Sequence, residues 1–183
     1  MKNAPLRTSG IIIIGNEILS GRTQELNARY LAQKLLTVGV TVNEVRIIPD
    51  VKEKIIECVN EVRNKYTYVF TSGGIGPTHD DITSECIAIA FGVNLPINIK
   101  AKKLLENYYK LQNIELNNAR LRMARIPTGS NLIQNPISAA PGFQIENVFV
   151  LAGVPNIFKS MVENIIKKLG NETSIKSKTI KIN

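Results

Sequence analysis

Tryptophan is absent from this 183-residue chain, histidine occurs once and cysteine twice. The lone His79 has no spaced partner with which to ligate a metal or complete a triad. Cys58 and Cys86 belong to no CxxC pair or Cys/His cluster, which argues against a structural zinc. Both fall at apolar positions of expected helices, where a free cysteine acts as a small hydrophobe. Five phenylalanines and five tyrosines, with no basic helix interleaved among them, offer little surface for stacking bases, so no specific nucleic-acid partner is expected. The net charge of +8 is met equally well by nucleotides. Apolar runs such as Ile11 to Ile14 are far too short for a membrane span. The start Met1-Lys2-Asn3-Ala4-Pro5 lacks the apolar region of a secretory signal. The expectation is a cytoplasmic domain with no membrane partner.

What the chain does contain is the composition of a globular protein, 44% hydrophobic and 21% charged. Its length suits one domain and is short for two. Residues 1–170 are expected to form it. Residues 171–183 make a tail whose alternating Ile and Lys read as a strand with no partner left in the chain, the start of a further segment.

The patterning alternates strand and helix. Ile11 to Ile14 reads as a strand, followed by a helix with Leu26, Tyr30, Leu31, Leu35 and Val38 at helical spacing and Gly39 at its end. Val40 to Ile48 is a strand with apolar Val40, Val42 and Val45; the next helix carries Val51, Ile55, Val59 and Val62 on one face. Asp50 and Glu53 have capping-box spacing ahead of that helix, which makes Asp50 a candidate N-cap as well as a candidate site residue. Tyr68 to Thr71 is a third strand, leading through glycines to a helix with Ile82, Cys86 and Ile89 that stops before Gly92. The stretch Asn98 to Ala124 reads as helical and basic, most of its charge belonging to a solvated face. After Pro127 come extended segments around Leu132-Ile133 and at Val148 to Leu151, separated by a loop from Asn135 to Phe143. Pro155 opens a last helix and Gly170 closes it. Buried strands alternating with helices predict an α/β fold, a mostly parallel sheet with helices on both faces.

The run Thr71-Ser72-Gly73-Gly74-Ile75-Gly76-Pro77-Thr78-His79-Asp80-Asp81-Ile82-Thr83 is the most informative segment. Its glycines leave backbone N–H groups free to close on a phosphate beside a helix start. The two aspartates that follow would repel such an anion unless a cation stood between, which points to a divalent metal and nucleotide chemistry. One of Asp80 and Asp81 is alternatively the cap of the next helix. In an open parallel sheet, ligands bind beyond the carboxyl ends of the strands. Four loops meet that description: Gly15 to Gly21, Pro49-Asp50, Gly73 to Asp81, and Ser138 to Gly142 with its neighbour Ala152 to Pro155.

Here the chain resembles the MoaB/Mog-like molybdopterin-binding fold, most closely the amino-terminal domain of the competence/damage-inducible protein A (CinA) family and the similar domain of eukaryotic FAD synthases. The residues that carry the likeness are Gly15-Asn16-Glu17-Ile18-Leu19-Ser20-Gly21 with Asn27, Thr71 to Thr83, Ala124-Arg125-Ile126-Pro127, Ala140-Pro141-Gly142-Phe143 and Gly153-Val154-Pro155. The resemblance implies a three-layer domain that self-associates as a dimer or trimer. It also implies one of two activities: adenylylation of molybdopterin with ATP and a divalent cation, or hydrolysis of ADP-ribose or a related dinucleotide pyrophosphate such as FAD. Both attack a phosphoanhydride and differ chiefly in the acceptor. A non-catalytic pterin- or nucleotide-binding module is the rival class.

The resemblance places acidic positions of the adenylylating branch at Asp81 and Asp50, the expected catalytic and metal-holding pair, with Asp80 and Glu17 as further metal candidates. The metal would be Mg²⁺, Mn²⁺ or Co²⁺. Thr71, Ser72, Gly73, Gly74 and Gly76, with Ser138, Ala139, Pro141 and Gly142, would contact phosphate or nucleotide. Asn27 is expected to fix the first loop. His79 is a candidate phosphate donor. Two departures stand out. The CinA pattern has Leu-Pro-Gly-Val-Pro followed closely by Glu, whereas this chain has Ala152 in place of the proline and Ile157 at the glutamate position. Ser138-Ala139 stands where Gly-Thr is common.

Overall fold

The structure, a computed structural model, describes residues 7–172. The first residues and the Ile/Lys tail lie outside that range. Six strands form one sheet in the order β2-β1-β3-β6-β5-β4. The strands are β1 (Arg7–Ile14), β2 (Val40–Ile48), β3 (Tyr68–Ser72), β4 (Asn131–Ile133), β5 (Gly142–Ile145) and β6 (Val148–Leu151). The first four strands in that order run parallel, as expected; β5 is added antiparallel to β6, and β4 antiparallel to β5.

Two apolar layers cover the sheet. On one face Ile12, Ile14, Val69, Val148 and Val150 pack under α3 (Lys52–Lys65), α4 (Thr83–Ala90) and α5 (Ile99–Leu111). On the other, Ile11, Ile13, Phe70, Phe149 and Leu151 pack under α2 (Asn27–Leu36) and α7 (Pro155–Glu172), α1 being the single turn Asn16–Leu19 that follows β1. The alternation along β1 explains both layers, since successive side chains leave opposite faces of a strand. Phe70 stacks on Phe149 at 4.9 Å between ring centroids, both rings buried. Each such side chain contributes about 1.5–3 kcal/mol by leaving water.

Several expectations are corrected. Gly142-Phe143 belongs to β5, not to a loop: Phe143 pairs with Val150 and Gly142 with Ile133. The helix expected from Asn98 to Ala124 is broken after Leu111; a short α6 (Asn118–Leu121) and a 3-10 turn at Arg122–Ala124 follow. Asn113 takes a left-handed conformation (φ 54°) in the break. Gly170 does not end α7, which continues to Glu172. Val51 and Ile89, placed on buried helix faces by spacing, are 43% and 45% exposed: Val51 precedes its helix, and Ile89 falls outside the stripe of Cys86 and Ile87. Leu26 likewise stands just before α2 and is exposed.

β2 carries a bulge. Ser9 pairs with Val42, but Gly10 pairs with Glu44, leaving Asn43 as an extra residue. Beyond it Glu44 and Arg46 turn to α3. Glu44 accepts hydrogen bonds from Lys65 Nζ at 2.9 Å and Tyr66 Oη at 2.7 Å, while Arg46 donates to Glu44 and Glu61.

Candidate functional site

At the carboxyl edge of the parallel strands lies a cavity of about 810 Å³. All the loops expected to form a composite site reach it: Asn16 and Glu17 after β1, Asp50 after β2, Gly73 to Asp81 after β3, Ser138 and Ala140 between β4 and β5, and Ala152 to Pro155 after β6. The β4–β5 loop arrives at this edge because β5 runs antiparallel to β6, so that β5 begins where β6 ends.

The glycine turn is fixed from below. Gly73 (φ 113°) and Gly74 (φ 69°) occupy backbone conformations that other residues rarely adopt. A side chain on Gly73 would run into the carbonyl oxygen of Ile14, and one on Gly74 into the Thr83 hydroxyl. Thr83 is buried and anchors the turn twice, its Oγ1 donating to the Gly73 carbonyl at 3.0 Å and its amide to the Gly74 carbonyl at 2.9 Å. Gly76 is held close to Asp81, so that an added Cβ would sit 2.8 Å from the carboxylate.

Asp81 caps no helix. Its Oδ2 accepts from the Thr78 amide at 2.8 Å and the Thr78 hydroxyl at 2.6 Å, folding Pro77-Thr78-His79-Asp80 into a tight turn. The residue before α4 is Ile82, so neither aspartate serves as the N-cap. Asp80 lines the cavity but is largely exposed, and pairs with the equally exposed His79 at 3.1 Å. His79 does not line the cavity.

Asp50 is not a cap either. Val51 takes that position without a side-chain bond, and the Asp50–Glu53 capping box does not form. Instead Asp50 Oδ2 accepts from the Asn16 amide at 2.8 Å, which joins the end of β2 to the loop after β1 and aims the carboxylate at the cavity. Burial pushes its ionisation upward; the Asn16 amide partly offsets this, and the charges of Glu17, Asp80 and Asp81 push the same way. Asp50 therefore stands in a field of like charge that a cation would relieve.

Among the described residues no three acidic, histidine or cysteine side chains gather as a metal cluster. A cation here would draw on one or two carboxylates and on phosphate oxygens of its ligand, the usual arrangement for Mg²⁺. Asp50 and Asp81, with Glu17 and Asp80 nearby, fit that requirement.

Five of the expected contact residues are not on the cavity wall. Thr71 and Ser72 are buried within β3, 0% and 2% exposed, because the strand runs one residue further than the turn suggested. Ser72 is instead part of the scaffold, accepting from Asn27 Nδ2 at 2.9 Å. The same Nδ2 donates to the Gly153 carbonyl at 2.8 Å, so the Asn27 side chain ties the start of α2 to the end of β3 and the loop after β6, rather than fixing the first loop as expected. Ala139, Pro141 and Gly142 lie behind Ser138 and Ala140; Gly142 packs under the Val150 carbonyl and Met161. Asn135 organises this loop, donating to Ser138 Oγ and the Ala140 carbonyl and accepting from the Ile137 and Ser138 amides.

Arg22 and Thr23, just beyond the expected first loop, also line the cavity, and two further lining residues far from the expected loops were not anticipated. Tyr109 of α5 and Met123 of the 3-10 turn supply an apolar wall beside Ile75. The signal was present: Ala101, Leu105 and Tyr109 follow one another at four-residue spacing, and the first two are fully buried. Ala152 and Ile157, the two departures from the CinA pattern, both face the cavity.

The α/β/α domain thus gathers a glycine turn and the carboxylates of Asp50 and Asp81 at its strand ends, where open α/β sheets bind their ligands. The family described as "Probable molybdopterin binding domain" matches residues 10–171, and the chain belongs to it. The expected kinship with CinA is also found: a crystal structure of CinA from Thermoplasma acidophilum, described as of unknown function, is 30% identical with a TM-score of 0.82, covering 91% of this chain and 99% of that one. The tungsten cofactor synthesizing protein MoaB from Pyrococcus furiosus shares the fold, at 20% identity and a TM-score of 0.56 over 90% of this chain and 92% of its own. Among curated proteins, one from Sulfurisphaera tokodaii is 42% identical over 91% of this chain, and one from Pyrobaculum calidifontis 37% over 89%. The chain spans 65% of the length of each. No helix of the described residues is long and apolar enough to cross a membrane.

Proposed function

We propose that the domain binds a nucleotide pyrophosphate, ADP-ribose or FAD, and hydrolyses it with the help of a divalent cation. The observation that carries this reading is that Asp50 and Asp81 face one cavity together with the Gly73–Gly76 turn. The turn would hold one phosphate through backbone N–H groups. The cation would neutralise charge on the leaving phosphate. Asp50, oriented by the Asn16 amide and surrounded by like charge that a cation would offset, would complete the cation site. Asp81, locked by Thr78, holds its remaining oxygen toward the ligand without conformational cost. Tyr109 and Met123 offer the apolar wall that a purine or flavin ring requires.

A second reading is favoured by the family itself and by the fold of the Pyrococcus MoaB: adenylylation of molybdopterin, with the pterin phosphate in place of water. The experiment is product analysis with Mg²⁺, Mn²⁺ or Co²⁺ and without metal, comparing ADP-ribose and FAD with ATP plus molybdopterin. Release of AMP from a dinucleotide supports hydrolysis. Adenylylated molybdopterin without dinucleotide cleavage replaces that reading with the second. Calorimetric binding of these ligands with no product in either assay leaves a binding module, the outcome toward which Ala152 and Ile157 would point.

A further inference from the structure

Behind the glycine turn lies a second, smaller recess, lined by Ser84, Glu85, Leu95, Arg122 and Arg125 and sharing Ile75, Gly76 and Asp81 with the main cavity. At Gly76 the shared wall is backbone alone. The recess has room for about 20 Å³, the space of one water-sized group and hence of one oxygen of a larger anion.

Its two arginines are unusual in what they lack. Both are partly buried, and among the described residues neither guanidinium has a hydrogen bond, an ion pair or a ring partner. The carboxylates beside them are engaged elsewhere: Glu85 pairs with Lys52 at 3.2 Å, and Asp81 accepts from Thr78. The neighbouring arginines show how readily this side chain finds a partner when one is offered. Arg120 donates to the Glu115 carbonyl and lies over Tyr109, and Arg63 donates to the Ala90 carbonyl and lies over Phe91. The backbone that carries Arg122 and Arg125 is held by hydrogen bonds. The Arg125 amide donates to the Arg122 carbonyl at 2.9 Å, and Arg125 forms a bridge with Ile97.

Two partly buried guanidiniums to which neither neighbouring carboxylate is bonded leave donors that an oxyanion can take, since the planar fork matches phosphate oxygens and charge-assisted bonds are the strong ones. The first turn of α4 faces the same recess through Ser84 and Glu85 and adds its positive end. We propose that Arg122 and Arg125 form an oxyanion subsite that takes an oxygen of the second phosphate of a ligand whose first phosphate rests on the glycine turn. The proposal deepens the nucleotide reading above and rests on it for the identity of the ligand, though not for the anion chemistry. It assigns the recess a preference for two linked phosphates over one.

The test is calorimetric titration of the wild-type chain and the Arg122→Gln and Arg125→Gln variants with AMP, ADP and inorganic pyrophosphate, with thermal unfolding to confirm that each variant folds. The expected result is that each substitution weakens ADP and pyrophosphate by about tenfold while AMP changes less than twofold. Equal loss for AMP and ADP, or no loss for either, overturns the subsite while leaving nucleotide binding intact. If the wild type binds neither nucleotide, the nucleotide reading falls and pyrophosphate decides the subsite alone. Pyrophosphate binding that the substitutions weaken then upholds a site for free polyphosphate, and its absence in the wild type overturns the subsite.

Discussion

The carboxylate of Asp50 accepts a hydrogen bond from the amide of Asn16 at 2.8 Å, across 34 residues of sequence, and this bond spans the outer rim of the cavity between β2 and β1. It aims a charge whose neighbours are also negative.

Replacing that charge separates its two consequences. Asp50→Asn keeps an acceptor for the Asn16 amide and removes the penalised ionisation. Because the folded-state pKa of Asp50 is raised, the ionised group opposes folding once the pH exceeds its unfolded value, so the variant should melt at a slightly higher temperature at neutral pH. Cation-dependent turnover should fall at the same time. Calorimetry of Mn²⁺ binding should show affinity in the wild type rising with pH as Asp50 ionises, and a flatter profile in Asp50→Asn.

Asp81→Asn should damage turnover more than nucleotide binding, by on the order of a hundredfold in kcat. The amide oxygen can still accept from Thr78, so the turn should keep its shape. Steady-state kinetics beside a direct binding measurement distinguish the two effects; equal losses in both would assign Asp81 to binding alone.

Asn27→Ala should cost about 1–3 kcal/mol, because the Gly153 carbonyl and the Ser72 hydroxyl lose their shared donor in a buried place. Denaturant unfolding measures this directly. Ligand affinity should fall as well, since the start of α2, the end of β3 and the loop after β6 are no longer held together.

Acid should weaken the protein through Glu44. Its hydrogen bonds from Lys65, Tyr66 and Arg46 hold its pKa down at about 2. A depressed carboxylate stabilises the fold above its unfolded pKa and loses that contribution as the pH falls through its folded value, so the window runs from about 4.5 down to about 2. After allowance for solvent screening the contribution is about 1 kcal/mol. Glu44→Gln should be less stable than wild type at pH 7 and should lose less on acidification between those limits.

The layered fold was legible in the sequence because the apolar runs Ile11 to Ile14 and Tyr68 to Phe70 mark β1 and β3 and helical patterns follow each. That the loops after β1, β2, β3 and β6 share one edge followed from the parallel strands, whereas the β4–β5 loop joins them because β5 runs antiparallel to β6. Other features were hidden by local competition. Asp50 has a capping residue's spacing, yet its oxygen is taken by an amide distant in sequence. β5 was masked by Pro141-Gly142, although Phe143-Gln144-Ile145 alternates and Glu146-Asn147 joins it to β6 as a two-residue hairpin turn. On β2 the apolar spacing Val40, Val42, Val45, Ile47 breaks its period at Asn43, and the bulge is the cause: it keeps all four on one face while Glu44 and Arg46 turn to the other. Tyr109 reaches the cavity only because α5 docks through Ala101 and Leu105, a tertiary placement that helical spacing describes but does not direct.

The wall of the main cavity begins at Ile14 and ends at Ile157. No short fragment of the chain contains it, so occupancy is a report on the folding of the domain. A ligand that recognises only the assembled wall shifts the global unfolding equilibrium, by about 2.7 kcal/mol at a hundredfold excess over Kd. Resistance to heat or protease in the presence of a candidate compound thus becomes a way to search for the natural ligand without an assay for its chemistry.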